Sequence, residues 1–178
     1  MKIFLDMDGV LADFVGAACR VHNRTCYDKR EHMGEFSLEK CWGISAAEFW
    51  APTDSFDFWM NLDKTAEADM IVETAVDIVG WENVAILTIP SDLPECINAK
   101  KEWIKFYYPR LAKQMIFAYD KGFIADPGKL LVDDRDRNVE DWKAVGGDAI
   151  LVPRPWNKYW QYWDTAYNVV ERELANYA

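Results

Sequence analysis

The 178-residue chain contains no C-x-x-C pair, no run of 18 or more apolar residues, no internal repeat, no low-complexity tract and no stripe of clustered basic residues. Each absence closes a class of protein. Its four cysteines, Cys19, Cys26, Cys41 and Cys96, follow neither a redox motif nor a standard zinc spacing. They are expected to remain reduced thiols, small and buried or half-buried. A zinc site from Cys19, Cys26 and His22 or His32 fits no ligand pattern. The missing apolar run excludes a helical membrane span. The chain enters an apolar strand directly after Lys2, and Asp6 interrupts any signal-peptide core, so a cytoplasmic protein is expected. With a formal charge of −10 and no basic stripe, a nucleic-acid polymer is not an expected partner. One small anionic substrate remains compatible, because a bound cation and one lysine reverse the sign locally.

What is present is substantial. Apolar residues make up 51% of the chain, which excludes disorder and supplies a sizeable core. The run Ile3-Phe4-Leu5 leads into Asp6-Met7-Asp8-Gly9-Val10. A short buried strand thus delivers two carboxylates to its C-terminal end, and alternation puts residues i and i+2 on one face. Two anions a few ångströms apart repel by about 4 kcal/mol at an effective dielectric near 20. Either one is protonated or a divalent cation lies between them. Both suit phosphoryl chemistry, in which one carboxylate attacks phosphorus and the other moves a proton. The plainer alternative is a strand end with solvated acids and a glycine turn.

A second doublet decides between them. Leu130-Leu131-Val132-Asp133-Asp134 repeats the pattern, and the run Val84-Ala85-Ile86-Leu87-Thr88 ends in a hydroxyl. In an open parallel sheet the strand C-termini share one edge, and that edge is the ligand crevice. Three strand ends carrying Asp/Asp, Thr and Asp/Asp converge there.

These segments resemble the four motifs of the haloacid dehalogenase-like phosphohydrolases. The first is Asp6-Met7-Asp8-Gly9-Val10, the second ends at Thr88, and the fourth is Asp133-Asp134. The third needs a lysine, met by Lys121 in Tyr119-Asp120-Lys121; Lys129 and Lys100 or Lys101 are the alternatives. The stretches 6–14, Leu87-Thr88-x-Pro90, Lys101-x-Trp103-Ile104-x-x-Tyr107 and 130–135 further resemble the 5′(3′)-deoxyribonucleotidase branch. The resemblance implies Asp6 as nucleophile and Asp8 as acid and base. It implies Mg²⁺ held by Asp6, the Asp8 carbonyl and Asp133, with Asp134 supporting from behind. Thr88 and Lys121 would bind phosphate, Ser91 would stand beside it, and Phe14 would line the base pocket. Arg135 would tie down carboxylates. The implied activity is Mg²⁺-dependent hydrolysis of deoxyribonucleoside monophosphates, by a monomer or homodimer. A phosphatase for another small phosphomonoester, such as a sugar phosphate, and a non-catalytic binding protein are the alternatives.

The rest of the chain alternates strands and helices with one interruption. Helices are expected at about 10–24, 66–80 and 95–108, with strands at 2–6, 84–88, 115–118, 130–133 and 149–152. Asn138 is read as the cap of a helix running to Val145, ended by Gly146-Gly147. Trp156, Tyr159, Trp160, Trp163, Tyr167, Val170 and Leu174 read as one amphipathic helix packed on the sheet. Residues 25–65 lose periodicity and carry Tyr27, Phe36, Trp42, Phe49, Trp50, Phe56, Phe58 and Trp59. Connections in compact domains have a median of about 4–6 residues, so this stretch reads as a small helical cap. Its aromatics either form the cap's own core or wall an apolar pocket. The expected architecture is α/β: a Rossmann-like parallel sheet flanked by helices, with a core of residues 1–24 and 66–178 and a helical cap, 25–65, inserted after the first strand–helix unit.

Overall fold

A computed structural model describes the whole chain, residues 1–178. Five strands, β1 (Lys2–Leu5), β2 (Val84–Thr88), β3 (Met115–Phe117), β4 (Lys129–Asp133) and β5 (Asp148–Leu151), pair in the order β3-β2-β1-β4-β5. Every pairing is parallel. The chain builds outward from β1 to β3, then returns to add β4 on the other side of β1. The strand order therefore reverses between β1 and β4, where open parallel sheets form their ligand crevice.

Both faces of the sheet are covered, as parallel sheets require. Ile3, Leu5, Ile86, Leu130, Val132 and Ile150 face one layer of helices, while Phe4, Leu87, Leu131 and Leu151 face the other. The first layer contains α5 (Ala68–Val79), α6 (Pro94–Tyr107) and α8 (Ala166–Ala175), contributing Ile71, Trp103 and Val170. The second contains α7 (Asp136–Ala144), contributing Val139 and Trp142. Between α1 (Phe14–Val21) and α5 lie three short helices, α2 (Leu38–Trp42), α3 (Ala46–Trp50) and α4 (Phe56–Met60). Ser37, Ser45 and Ser55 cap them in turn, each accepting from a backbone N–H one turn on. No helix is long and apolar enough to cross a membrane.

The structure departs from the sequence reading in four places. Helix α1 starts at Phe14, capped by Asp13, because residues 7–12 form a tight turn in which Met7 O accepts from three successive amides. Asn138 lies inside α7 rather than capping it, since the helix begins at Asp136. The aromatic run after β5 is not one helix. Residues 160–165 are a 3₁₀ turn whose Tyr162 and Trp163 are exposed, and α8 starts only at Ala166. Finally, Cys19 and Cys26 are brought together as a pair, where separate thiols are expected from the sequence; Cys41 and Cys96 stand apart from them. The loop reverses through Asn23 and Tyr27, both at positive φ, and returns Cys26 to α1 with its Cα 6.0 Å from that of Cys19.

Candidate active site

The C-terminal ends of β1, β2 and β4 bring one hydroxyl and four carboxylates together. Asp6 follows β1, and its amide donates to Val132 O, which sets it beside Asp133 at the end of β4. Its Oδ1 accepts from the Met7 amide and lies 2.8 Å from Lys121 Nζ; Oδ2 has no protein donor. Lys121 is buried and also donates to Asp133 Oδ2 at 2.6 Å. Asp133 is saturated: Arg135 N donates to Oδ1, and Asn138 Nδ2 is 3.1 Å from both oxygens. Asp134 is different. Its Oδ2 accepts from Trp156 Nε1 at 2.6 Å, and Oδ1 accepts nothing.

Asp8 is held by a second buried lysine. Lys100 Nζ, wholly buried on α6, lies 2.5 Å from Asp8 Oδ2, 2.9 Å from Thr88 Oγ1 and 2.9 Å from Ile89 O. Asp8 Oδ1 is buried without a partner. Gly9, at φ +74°, is needed for a close approach: a Cβ there would overlap the Asp134 carboxylate and press on Trp156.

Four carboxylates against two ammonium groups leave two negative charges in a buried site, and the titration of the acids reflects this. Burial, opposed by Lys121 and reinforced by Asp133 and Asp8, pushes Asp6 up to about 7. Burial and then Asp133 and Asp6 push Asp134 well above the usual carboxylate range. For Lys121, burial favours the neutral amine, but Asp133 and Asp6 outweigh it and raise its pKa. Ligand atoms of Asp6, Asp133 and Asp134 lie within 4.8 Å of one another. Excess negative charge, unpaired carboxylate oxygens and oxygen-only donors fit a hard divalent cation. No cysteine or histidine joins such a group, so the Cys19, Cys26 and histidine combination does not assemble.

Above these groups is a cavity of about 680 Å³, within the range of small-molecule sites. Asp6, Asp8 and Asp134 form part of its floor; Phe14, Phe36, Phe49, Trp50 and Trp59 contribute to its walls. Phe14 stacks on Trp59, with centroids 5.3 Å apart and planes at 17°. Ser91 lines the cavity, with its hydroxyl accepting from Leu93 N. Thr88, Lys121 and Asp133 lie behind the floor. Arg135 ties down no carboxylate through its side chain. Its guanidinium instead sits 4.5 Å from the ring centroid of Phe36, across the mouth of the site.

The site includes residues that the sequence reading placed elsewhere. The sequence alone reads Asn138 as a helix cap and Trp156 as part of a packing stripe. Lys100 stood only as an alternative for the third motif, yet it carried a signal of its own. It occupies a core position among Cys96, Ala99, Trp103 and Ile104, where an unpartnered lysine is not tolerated.

Known proteins resemble this chain in sequence and in fold. The chain is 26% identical over 162 residues to a Staphylococcus epidermidis protein that bears the provisional name 5′(3′)-deoxyribonucleotidase, covering 89% of this chain and 86% of that one. A haloacid dehalogenase-like hydrolase from Streptococcus pneumoniae shares the fold, with a TM-score of 0.52 at 12% identity, covering 99% of this chain and 90% of that one. Residues 1–174 match the family described as 5′ nucleotidase, deoxy (pyrimidine), cytosolic type C protein. With all but the last four residues matched, the chain belongs to this 5′-nucleotidase family and is a phosphatase.

Proposed function

We propose that the protein hydrolyses deoxyribonucleoside monophosphates in a Mg²⁺-dependent reaction through an aspartyl-phosphate on Asp6. The observation that carries this reading is the donor-free Oδ2 of Asp6 on the floor of an aromatic-walled cavity, with Asp8 fixed beside it by a buried lysine. Asp6 Oδ2 attacks phosphorus while the ester P–O bond breaks, and Asp8 gives its proton to the leaving alkoxide. Asp8 then takes a proton from the water that attacks the phosphoryl group, which frees phosphate and restores Asp6. Lys121 offsets charge on Asp6 and on the transferring group. Thr88, buried behind the floor, accepts from Lys100 and so helps hold that lysine against Asp8 rather than meeting the phosphate itself.

Asp134, through its free Oδ1, would hold the cation together with Asp6 Oδ1 and the Asp8 carbonyl, which receives no backbone donor, while Asp6 Oδ2 is kept for the attack. In this reading Asp134 takes the ligand place that the family resemblance implies for Asp133, and Asp133 holds Lys121 and Asn138 in position. When bound, Mg²⁺ neutralises the excess charge and polarises the phosphoryl oxygens.

Phosphate release from dUMP, dTMP, dGMP, UMP, a 3′-nucleotide, a hexose phosphate and p-nitrophenyl phosphate, with Mg²⁺ or with chelator, tests the proposal. The expected result is a higher kcat/KM for deoxynucleotides, abolished by chelation. Apolar walls alone reject an added 2′-hydroxyl by only about a hundredfold, so dUMP over UMP is expected to stay at or below that ratio. A preference for the hexose phosphate would discard the nucleotide reading and keep the chemistry. Release that survives chelation would discard the metal.

A further inference from the structure

The segment after β5, residues 153–157, connects the acidic floor with the residues that cover it. Arg154, Trp156 and Asn157 are all buried. Arg154 Nε donates to Gly9 O at 2.7 Å while its guanidinium pairs with buried Glu67 at 2.8 Å. Asn157 Nδ2 lies 2.8 Å from both Asp134 O and Val152 O, which fixes the backbone on which Asp134 sits. From the covering side, Gly34 N donates to Pro155 O, and the Tyr27 ring packs 5.6 Å from that of Trp156. Trp156 also lines the substrate cavity.

The indole N–H has no lone pair to offer and can only donate. The terminal torsion of an aspartate is broad and nearly twofold, so β4 alone does not fix which oxygen of Asp134 faces the cavity. One short charge-assisted bond from Trp156 to Oδ2 makes that selection and leaves Oδ1 free. Phe would fill most of the same space without this bond.

We propose that Trp156 is a positioning residue for Asp134, and that its N–H, rather than the bulk of its ring, sets the affinity of the acidic cluster for a divalent cation. This rests on the metal-binding reading of that cluster.

The test is calorimetric titration of metal-free protein with Mg²⁺ in the absence of substrate, comparing wild type, Trp156→Phe and Trp156→His. Metal-free Tm is measured in parallel. Loss of a group that orients a metal ligand weakens affinity by about 10–100-fold, so W156F is expected to bind Mg²⁺ more weakly by that factor. Its metal-free Tm stays near that of wild type. W156H, which retains a ring N–H, falls between the two. The Mg²⁺ concentration for half-maximal phosphatase activity moves in the same order. Wild type that binds no Mg²⁺ would overturn the metal reading and this proposal with it. Binding by wild type with W156F unchanged would overturn the proposal alone. So would two variants whose metal-free Tm collapses and whose binding only tracks the folded fraction, because packing would then be the whole role of Trp156.

Discussion

Asp6 and Asp8 stand two residues apart, yet their surroundings give them different work. Asp6 shares a lysine with Asp133 and keeps one oxygen free, whereas Asp8 has a lysine of its own. Asp6→Asn keeps the shape and removes the nucleophile, so kcat is expected to fall at least about a thousandfold. Because burial already disfavours the Asp6 anion, metal-free D6N should melt no lower than wild type near neutral pH. A mutant that retains wild-type kcat would remove the assigned nucleophile. Lys100→Met leaves Asp8 without its ammonium partner, and a loss of about a hundredfold is expected, mostly in kcat rather than KM. A change confined to KM would make Lys100 a substrate contact instead. Carboxylates at apolar strand ends were legible because position and residue type alone announce them. Asn138 and Trp156 were not, since their partners are reached only when α7 and the segment after β5 fold back onto β4.

The elements were legible in proportion to their burial. Strands covered on both faces leave near-continuous apolar runs, and all five lie within one residue of where those runs place them. The short helices between α1 and α5 are five residues each, too short for a 3.6-residue period to declare itself. After β5 the failure was of another kind: Val170 and Leu174 fall on α8 and are buried, but the aromatics at helical spacing before them fall on a buried turn and an exposed 3₁₀ segment. The aromatics of α1, α3 and α4 act as one wall. Phe14 stands at the first turn of α1 and stacks on Trp59 of α4, so it links the core to the helices above the site. An aromatic pair contributes about 0.5–1.5 kcal/mol beyond its buried area. Phe14→Ala is therefore expected to raise KM for a deoxynucleotide up to about tenfold, and to change that for p-nitrophenyl phosphate less. Equal effects on both substrates would show that Phe14 supports the wall without touching the nucleoside.

For the whole molecule, the formal charge of −10 and the buried acidic floor act in the same direction, and pH separates them. In metal-free protein Asp6 titrates near 7, against an ordinary value of 3.8. Between those values the folded state holds a proton that the unfolded state has released. Stability therefore falls as pH rises from about 4 to about 7, by a few kcal/mol at most, and Asp134 adds to the fall in the same direction. Lys121 is raised above its ordinary 10.5, so its contribution is constant across this window and is lost only in stronger alkali. A bound divalent cation stabilises the anionic carboxylates and opposes the fall. The Tm gained on saturation with Mg²⁺ should consequently be larger at about pH 8 than at about pH 5.5. General repulsion among surface carboxylates also lowers stability as pH rises, but D6N leaves that repulsion almost intact. The pH dependence of the metal-free Tm should therefore be shallower in D6N than in wild type. Equal slopes would place the proton-linked stability on the surface rather than at the floor of the site, and an equal Mg²⁺ gain at both pH values would show that the cation does not bind where Asp6 titrates.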